Sequence, residues 1–577
     1  MIADALKKLA RLFWILPGFL LWASFPPMAE KTDCVFALAP LIWFARNRDS
    51  KANFRLWFLN GFVFWFATLS WMPAIVKNGG PWPLVVLGWG ALAAYCALYF
   101  GAFGWLSSKV WAWVKDEGTA WRKPPRFPYA RRLFAILVAE PLLWCGLELL
   151  RSRLFGGFSW NHLGLPLVNA NLGSPAALGG VYLVSAVVIL INGTIAGIAE
   201  RIMKRTTRWA SLETLIPFLL IWGIYALGGF CMLRIATNSS EGGWETESRT
   251  IAMVQRNFPC VFKPTEREDP IAVYSNLLAN VAYTRPDLVV LAESALSEFG
   301  AADSPRSLAF ARWVAKSTGA REVIAGGGRF ADGKEYNSAI LFSNLGVQSG
   351  RVGDAPLPVP TPARASPSAT RFARGMPSPF PVPQIYDKVH LVPFGEYIPG
   401  DKWITALQKL APVGSCTPGE LKILGDYGVA ICYEDTDSAQ MRALSHLGAR
   451  VLVFITNDSW FSDSVEAEQH AWQSVARAIE TGLAVVRVGN SGVTGTITND
   501  GRANWLADAT GRPLVDVRGT MCDRVEVLCP PCPTMRPMTT YCLFGDIPLA
   551  VSFALLIVSM VLVKYRNTYE KRRYMSM

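Results

Sequence analysis

Histidine is nearly missing from this sequence. Only four occur, His162, His390, His446 and His470, and none stands in an HExxH spacing, so a histidine-built zinc site of that kind has no support. Charge is scarce as well, at 17% of residues, while 51% are hydrophobic and 22 are tryptophan. A 577-residue chain with that balance is too long for one domain and too apolar for one water-soluble fold. No intact nucleotide-binding motif is present. The stretch GRFADGKE at 328 to 335 approaches a phosphate-binding loop, but Glu335 stands where Ser or Thr is required, and Asp332-Gly333 reads as a hairpin turn. The formal net charge of +12 comes without a DNA-binding motif and is read as topological, with no nucleic-acid partner expected.

Eight apolar runs have spanning or near-spanning length: 11–26, 33–45, 54–72, 82–111, 132–150, 177–199, 212–234 and 543–563. Positive charge near span ends stays on the cytoplasmic side. Lys7, Lys8 and Arg11 precede the first run, and Arg46, Arg48, Lys51 and Arg55 lie between the second and third. Lys115, Arg122, Lys123, Arg126, Arg131 and Arg132 lie between the fourth and fifth, Arg201, Lys204, Arg205 and Arg208 follow the sixth, and a basic tail follows the last. The intervening loops hold little more than Lys31, Lys77, Arg151 and Arg153. This alternation predicts eight helices with both chain ends inside. A cleaved signal peptide would leave an odd number and break it. The expected domains are helices one to seven over 1–234, an exported block over 235–542, and an eighth helix with a basic cytoplasmic tail over 543–577.

Within the block, from 249 to 505, strand-like runs such as DLVVLAES and VLVFITND alternate with helix-like runs such as DPIAVYSNLLANVA. Continuous apolar strands separated by helices predict an α/β domain with its sheet covered by helices. The proline-rich stretch 350–385 reads as a long irregular loop, either an insertion or a lid. Cys522, Cys529, Cys532 and Cys542 are expected to form one or two disulfides rather than a zinc site, given an oxidising compartment and the prolines at 530 and 531.

Two stretches carry the chemistry: YDKVHLVPFGEYIP at 386 to 399 and GVAICYED at 428 to 435. With DLVVLAES at 287 to 294 they bring Glu293, Lys388 and Cys432 in the order Glu, Lys, Cys, two of them at strand ends. A charged group at the end of an apolar strand is costly to bury unpaired and is therefore paired or functional. A cysteine there, with a base and a cation available, is a nucleophile candidate, and the cation is expected to favour its thiolate.

This order and these flanks resemble the nitrilase, or carbon-nitrogen hydrolase, superfamily. Together with the membrane runs, the chain resembles its membrane-embedded branch, the apolipoprotein N-acyltransferases. The resemblance implies an αββα sandwich, inserted here between the seventh and eighth helices of an eight-helix bundle. It implies Cys432 as nucleophile, Glu293 as general base and Lys388 as oxyanion stabiliser. Glu396 matches a second glutamate that holds Lys388 or shares proton traffic, and Tyr433 and Glu434 match positions that shape the pocket. NDSWF, QH, RAIE and NSG also match the branch at Asn457, Trp460, His470, Arg477, Glu480 and Asn490, most of them expected as structural hydrogen bonders, with Trp460 and Phe461 as candidates for a lipid-facing rim. FGGFSWNHLG at 155 to 164 resembles a loop of the branch, with Ser159 where proline is usual.

The function implied is transfer of a fatty acyl chain from a membrane phospholipid to the N-terminal α-amino group of diacylglyceryl-cysteine apolipoproteins. It would run by a ping-pong mechanism through a thioester on Cys432, without cofactor or metal, at the periplasmic side of a bacterial inner membrane. The alternative is a membrane-tethered amidase using the same three groups, with water as acceptor.

Overall fold

In lipid a segment must satisfy its backbone groups internally, so apolar runs of this length become helices. The computed structural model describes residues 14–116, 128–204, 210–241, 245–259, 268–343, 345, 383–398, 415–529 and 538–576. The chain divides into two units: 1–76, 80–234 and 538–577 form one, and 77–79 with 235–537 form the other.

The first unit is helical. Its principal helices are α1 (Leu16–Ala23), α2 (Ala39–Asn47), α3 (Ser50–Thr68), α4 (Trp82–Val114), α5 (Tyr129–Arg151), α6 (Ala176–Met203) and α7 (Leu212–Ile235), with Ile547–Met575 at the C-terminus. Among the described residues five helices are long and apolar enough to cross a membrane: α4, α5, α6, α7 and Ile547–Met575. The other three expected runs differ. The run 54–72 lies largely in α3, whose Lys51, Asn53, Arg55 and Asn60 lower its hydropathy. The run 33–45 is shared between Cys34–Ala37 and α2, with Pro40 in the first turn of α2, where proline is tolerated. The run 11–26 shows eight residues of helix, and residues 1–13 lie outside the described ones.

Several polar side chains inside this unit tie helices together. Asn60 in α3 accepts from Gly18 N at 3.0 Å and donates to Trp14 O at 2.8 Å, joining α3 to α1. Arg46 meets Glu140 at 3.3 Å, and that carboxylate also accepts from Ser107 and Trp111. Arg151 does not stay in solvent. Its guanidinium donates to the carbonyls of Phe158 and Trp160 at 2.7 and 2.8 Å, so it shapes the 155–164 loop from within.

The second unit is built on two sheets. Strands β1 (Glu245–Gln255), β2 (Leu288–Leu291), β3 (Glu322–Ala331), β4 (Lys334–Phe342), β5 (Gln384–Asp387) and β11 (Gly519–Cys529) form one, in the order β11-β1-β2-β3-β4-β5. Strands β6 (Tyr427–Ile431), β7 (Val451–Thr456), β8 (Val485–Gly489), β9 (Gly495–Ile497) and β10 (Ala503–Trp505) form the other, in the order β10-β9-β8-β7-β6.

Successive side chains of a strand point to opposite faces, and here both faces are covered. Ile251, Met253, Val290 and Ile324 of one sheet share a buried cluster with Val429, Ile431, Val453 and Val488 of the other. Ala252, Val254, Val289 and Leu291 face outward, onto Tyr274 and Leu277 of helix α8 (Pro270–Ala282) and Phe310 and Val314 of helix α9 (Pro305–Thr318). Helices α10 (Ser438–His446) and α11 (Glu466–Thr481) follow β6 and β7. The arrangement is a nitrilase-like sandwich, and its double burial explains why the strands read as unbroken apolar runs.

Asp332 and Gly333 both have positive φ, 51° and 72°, and join Ala331 to its partner Lys334, as a two-residue hairpin turn requires. Strand β11 lies beyond the alternation read over 249–505 and pairs with β1 along all eleven residues, Glu245↔Cys529 to Gln255↔Gly519. Cys522 on β11 donates to Thr284 Oγ1 at 3.2 Å, and Cys522 and Cys542 are free thiols, so the expected disulfides do not run through them. Cys260 and Cys532, and positions 350–382 of the proline-rich stretch, lie outside the described residues.

Candidate active site

Three chain breaks from regular strand converge at one end of the sandwich. Glu293 stands two residues past β2, Lys388 one past β5 and Cys432 one past β6. The β2 exit needs close backbone approach: a Cβ on Gly326 would meet Glu293 Cα at 2.9 Å, so glycine at that point of β3 lets the carboxylate-bearing turn settle against it. Ser294, the next residue, has φ 66°. Cys432 has φ 53°, a left-handed conformation that non-glycine residues adopt at a cost, at the start of a 3₁₀ turn running Cys432–Thr436.

Glu434 holds that turn in place. Its carboxylate accepts from Ile431 N at 2.8 Å on one side, and from Val389 N, His390 N and the Tyr386 hydroxyl at 2.7, 3.0 and 2.8 Å on the other. The backbone beside Lys388 is thereby fastened to the backbone beside Cys432 by one buried carboxylate. Tyr433 is half-buried and its ring meets His390 edge-on at 5.8 Å.

Lys388 is 1% exposed and Glu293 8%. Lys388 Nζ contacts both oxygens of Glu396, at 3.0 and 2.9 Å. Glu396 is held from its other side by Val392 N at 2.8 Å. Asn337, in β4, then links the two carboxylates: its Nδ2 donates to Glu293 Oε1 at 2.7 Å and to Glu396 Oε1 at 2.8 Å, while its carbonyl accepts from Lys388 N at 2.8 Å. Sequence reasoning passed over Asn337, which carries no spacing signal and shows only as a polar residue entering an apolar strand.

The electrostatics separate the two carboxylates. Burial pushes the Glu293 carboxyl up, Lys388 opposes and Glu396 adds to the push, and the net shift is upward. Glu396 suffers burial too, but Lys388 and Asn337 hold it below its ordinary value. Burial disfavours the Lys388 ammonium, yet Glu396, Cys432 and Glu293 together raise its pKa well above the usual range, so it stays charged. Burial and then Glu293 push the Cys432 thiol well above its ordinary value, against the pull of Lys388. The expectation that the cation would favour a thiolate is thus reversed: burial and a carboxylate outweigh one ammonium already committed to Glu396. What the site offers is a neutral thiol, a carboxylate of raised basicity and a fixed cation.

Behind the turn lies a second buried group. His470, in α11, donates from Nε2 to Asp435 and from Nδ1 to Asp458, both at 2.9 Å. Arg487, in β8, pairs with Asp435 and stands 3.5 Å from Asp458. Burial disfavours the imidazolium, but Asp435 and Asp458 prevail and push His470 up to about 10. Burial and Asp458 drive the neighbouring Glu466 well above its ordinary value, so it stays neutral. Ligand atoms of Asp458, Glu466 and His470 lie within 4.8 Å of one another, a spacing that suits a metal ion. Asp458 and Asp435 already take both nitrogens of His470, and Arg487 supplies the remaining positive charge.

The other matched positions take hydrogen-bonding places. Arg477 donates to Thr436 O at 2.8 Å and to Glu480 at 3.0 Å, closing the Cys432–Thr436 turn from its far end. Asn490 donates to Asn457 at 3.0 Å and accepts from Phe258 N at 3.0 Å. Trp460 lies half-buried in the 3₁₀ turn Asp458–Phe461.

Comparison with known proteins bears on the whole chain. Residues 17–194 match the family described as Apolipoprotein N-acyltransferase N-terminal domain, and residues 250–516 match Carbon-nitrogen hydrolase. Relatives named apolipoprotein N-acyltransferase include that of Geobacter metallireducens, 29% identical over 87% of this chain and 88% of its own length. Those of Chromobacterium violaceum and Photobacterium profundum are 26% and 24% identical, over 96% and 86% of this chain and 91% and 86% of their own. A solved carbon-nitrogen hydrolase from Helicobacter pylori G27 aligns at 18% identity and TM-score 0.31, covering 48% of this chain and 89% of that one.

Proposed function

We propose, on the premise that this chain belongs to the apolipoprotein N-acyltransferase family, that it moves a fatty acyl chain from a membrane phospholipid to the α-amino group of a diacylglyceryl-cysteine apolipoprotein through a thioester on Cys432. The chain is an acyltransferase by that membership. The observation that carries the mechanism is the juxtaposition of a half-buried thiol of raised pKa, a carboxylate of raised pKa and a carboxylate-anchored ammonium.

In the first half-reaction Cys432 Sγ attacks the ester carbonyl carbon as Glu293 takes the thiol proton. The carbonyl oxygen gains negative charge beside Lys388. Collapse breaks the acyl–oxygen bond, and Glu293 returns the proton to the departing lysophospholipid alkoxide. In the second half-reaction the amine attacks the thioester, Glu293 accepts a proton from it, and the amide forms as the Cys432 sulfur leaves and is reprotonated. Because the resting thiol is neutral, attack depends on Glu293 in each cycle rather than on a standing thiolate. The thioester lies above the ester in energy, but the amide is the most stable of the three, so the overall transfer runs downhill and needs no nucleotide.

We place the chain in a bacterial inner membrane with eight helices, both ends cytoplasmic, and the second unit on the periplasmic side. The lysine and arginine alternation supports this, together with five helices of spanning length. An amidase reading uses the same three groups with water as acceptor, and the membrane unit argues against it. The test is incubation with acyl-labelled phospholipid. Hydroxylamine-labile label on wild type, a slower oxyester on Cys432→Ser and no label on Cys432→Ala are expected; equal labelling of Cys432→Ala rejects the mechanism.

A further inference from the structure

Away from this site, on the first unit, an open cleft of about 460 Å³ lies between the start of α3 and the C-terminal part of α4, lined by Lys51, Phe54, Arg55, Ala102 and Trp105. Lys51 and Arg55 are one helical turn apart on α3, and Trp105 and Lys109 are one turn apart on α4, so each pair shares a helix face. Lys109 lies outside the lining residues, with its Nζ 5.6 Å from the Trp105 ring centroid. The floor is apolar. The helices approach closely there, because a Cβ on Gly101 would meet the Phe54 ring at 2.8 Å. Ser108 donates to Ser50 at 2.8 Å and fixes the end of the cleft.

The charged residues lining the cleft are both cations, and the carboxylate of Asp49 interacts with Arg55 from beside it. Among the described residues Lys51, Arg55 and Lys109 take part in no ion pair. Asp49, the neighbouring acid, uses Oδ1 to cap the helix, accepting from Lys51 N and Ala52 N at 2.9 and 3.0 Å.

The level of the cleft follows from α4. Trp82 and Trp105 are both exposed, at 66% and 43%. At the helical rise they stand about 34 Å apart along the axis, slightly more than the ~30 Å hydrocarbon core. Two outward tryptophans at that separation mark the two membrane interfaces. The cleft therefore opens at headgroup depth on the side carrying Arg46, Arg48, Lys51 and Arg55, with cations for a phosphate and aromatic rings for the glycerol and upper chain.

We infer that the cleft lined by Lys51, Phe54, Arg55, Ala102 and Trp105 binds the phosphate of an anionic phospholipid in the leaflet facing the basic side of the helices. It is a site separate from the acyl donor's, and its occupant is held as a resident lipid, not as substrate. A basic pocket between helices at this depth suits such a headgroup.

The test uses the full-length protein in mild detergent, mixed with phosphatidylglycerol or phosphatidylethanolamine and examined by native mass spectrometry and thermal melting. Wild type should retain phosphatidylglycerol preferentially and melt higher with it. K51Q/R55Q should lose that retention by about tenfold or more, while its melting without added lipid and its acyl-enzyme formation stay as in wild type. Arg55→Lys should keep most of the preference. Undiminished preference in K51Q/R55Q overturns the proposal, as does equal retention of the two lipids by wild type. Displacement of the bound lipid by excess inorganic phosphate also overturns it, because the cleft would then be a free-anion site. Failure of any of these leaves the thioester mechanism standing, since no group in the cleft belongs to it.

Discussion

Two buried charged clusters lie in the second unit, and they differ in how completely their charges cancel. In the group around His470, two carboxylates, Asp435 and Asp458, face two cations, His470 and Arg487, while Glu466 is kept neutral. In the group around Cys432, Lys388 is spent on Glu396, leaving Glu293 with a shared amide donor and a raised pKa. A balanced buried cluster braces; an unbalanced one stores reactivity. The first ties the turn after Cys432 to α11 and β8, so the left-handed backbone at Cys432 is held by a separate set of buried groups.

The largest break in this contrast comes from the unbalanced cluster. Glu293→Gln should lower the rate of acyl-enzyme formation by about 10²–10⁴-fold with little change in melting temperature, because glutamine still accepts from Asn337. The wild-type rate should fall on acidification through a pKa above the ordinary glutamate value of 4.5, since the base must be deprotonated to act. Stopped-flow labelling across pH reads both, and an acid limb at or below 4.5 would contradict the assignment. Lys388→Met should cost about 10²–10³-fold in kcat. It also leaves Glu396 buried without its cation, so the rate is to be scaled to folded protein measured by melting.

The balanced cluster should respond in stability first. His470→Gln removes a cation from between two carboxylates and should cost about 3–5 kcal/mol of stability, with the acyl-enzyme rate per folded molecule falling less than in Lys388→Met. The sign of the pH dependence is set by the raised folded pKa. The imidazolium's contribution is complete below its ordinary value of 6.5, shrinks above it and is lost as pH rises through about 10. The difference in melting between wild type and His470→Gln should therefore narrow from neutral pH toward 10. A constant difference over that range would mean that His470 is not charged in the fold.

What could be read of the candidate site in the sequence rests on local signals. Each of Glu293, Lys388 and Cys432 sits at or beside the end of a strand whose apolar run can be read directly, and the Asp332-Gly333 turn is a two-residue signature. Asn337, Asp435 and Asp458 were not read as partners of anything. Each looks like an ordinary polar residue at its own place, and its partners lie elsewhere in the chain, from 12 and 29 residues away for Asp458 to 35 for Asp435 and 44 and 59 for Asn337. Strand β11 escaped because its polar alternation, TMCDRVEVLC, and its cysteines suggested a covalent framework. Its pairing with β1 spans most of the unit. In the helical unit, hydropathy marked α4 to α7 and the last helix clearly, but α3 carries polar residues that bind neighbouring helices, which a window average counts against it.

The amino-acid order alone determined that the chain has a membrane-compatible part and an α/β part, and that a carboxylate, an ammonium and a thiol end separate segments in that order. Periodicity, apolar run length and charge placement are properties of short stretches and survive without a fold. Only the tertiary structure decided which carboxylate is basic and which is paired, that the thiol rests protonated, and which buried cations support the turn beneath it. Those outcomes depend on burial and on distances between segments far apart in the chain, and neither exists until the sheets have packed.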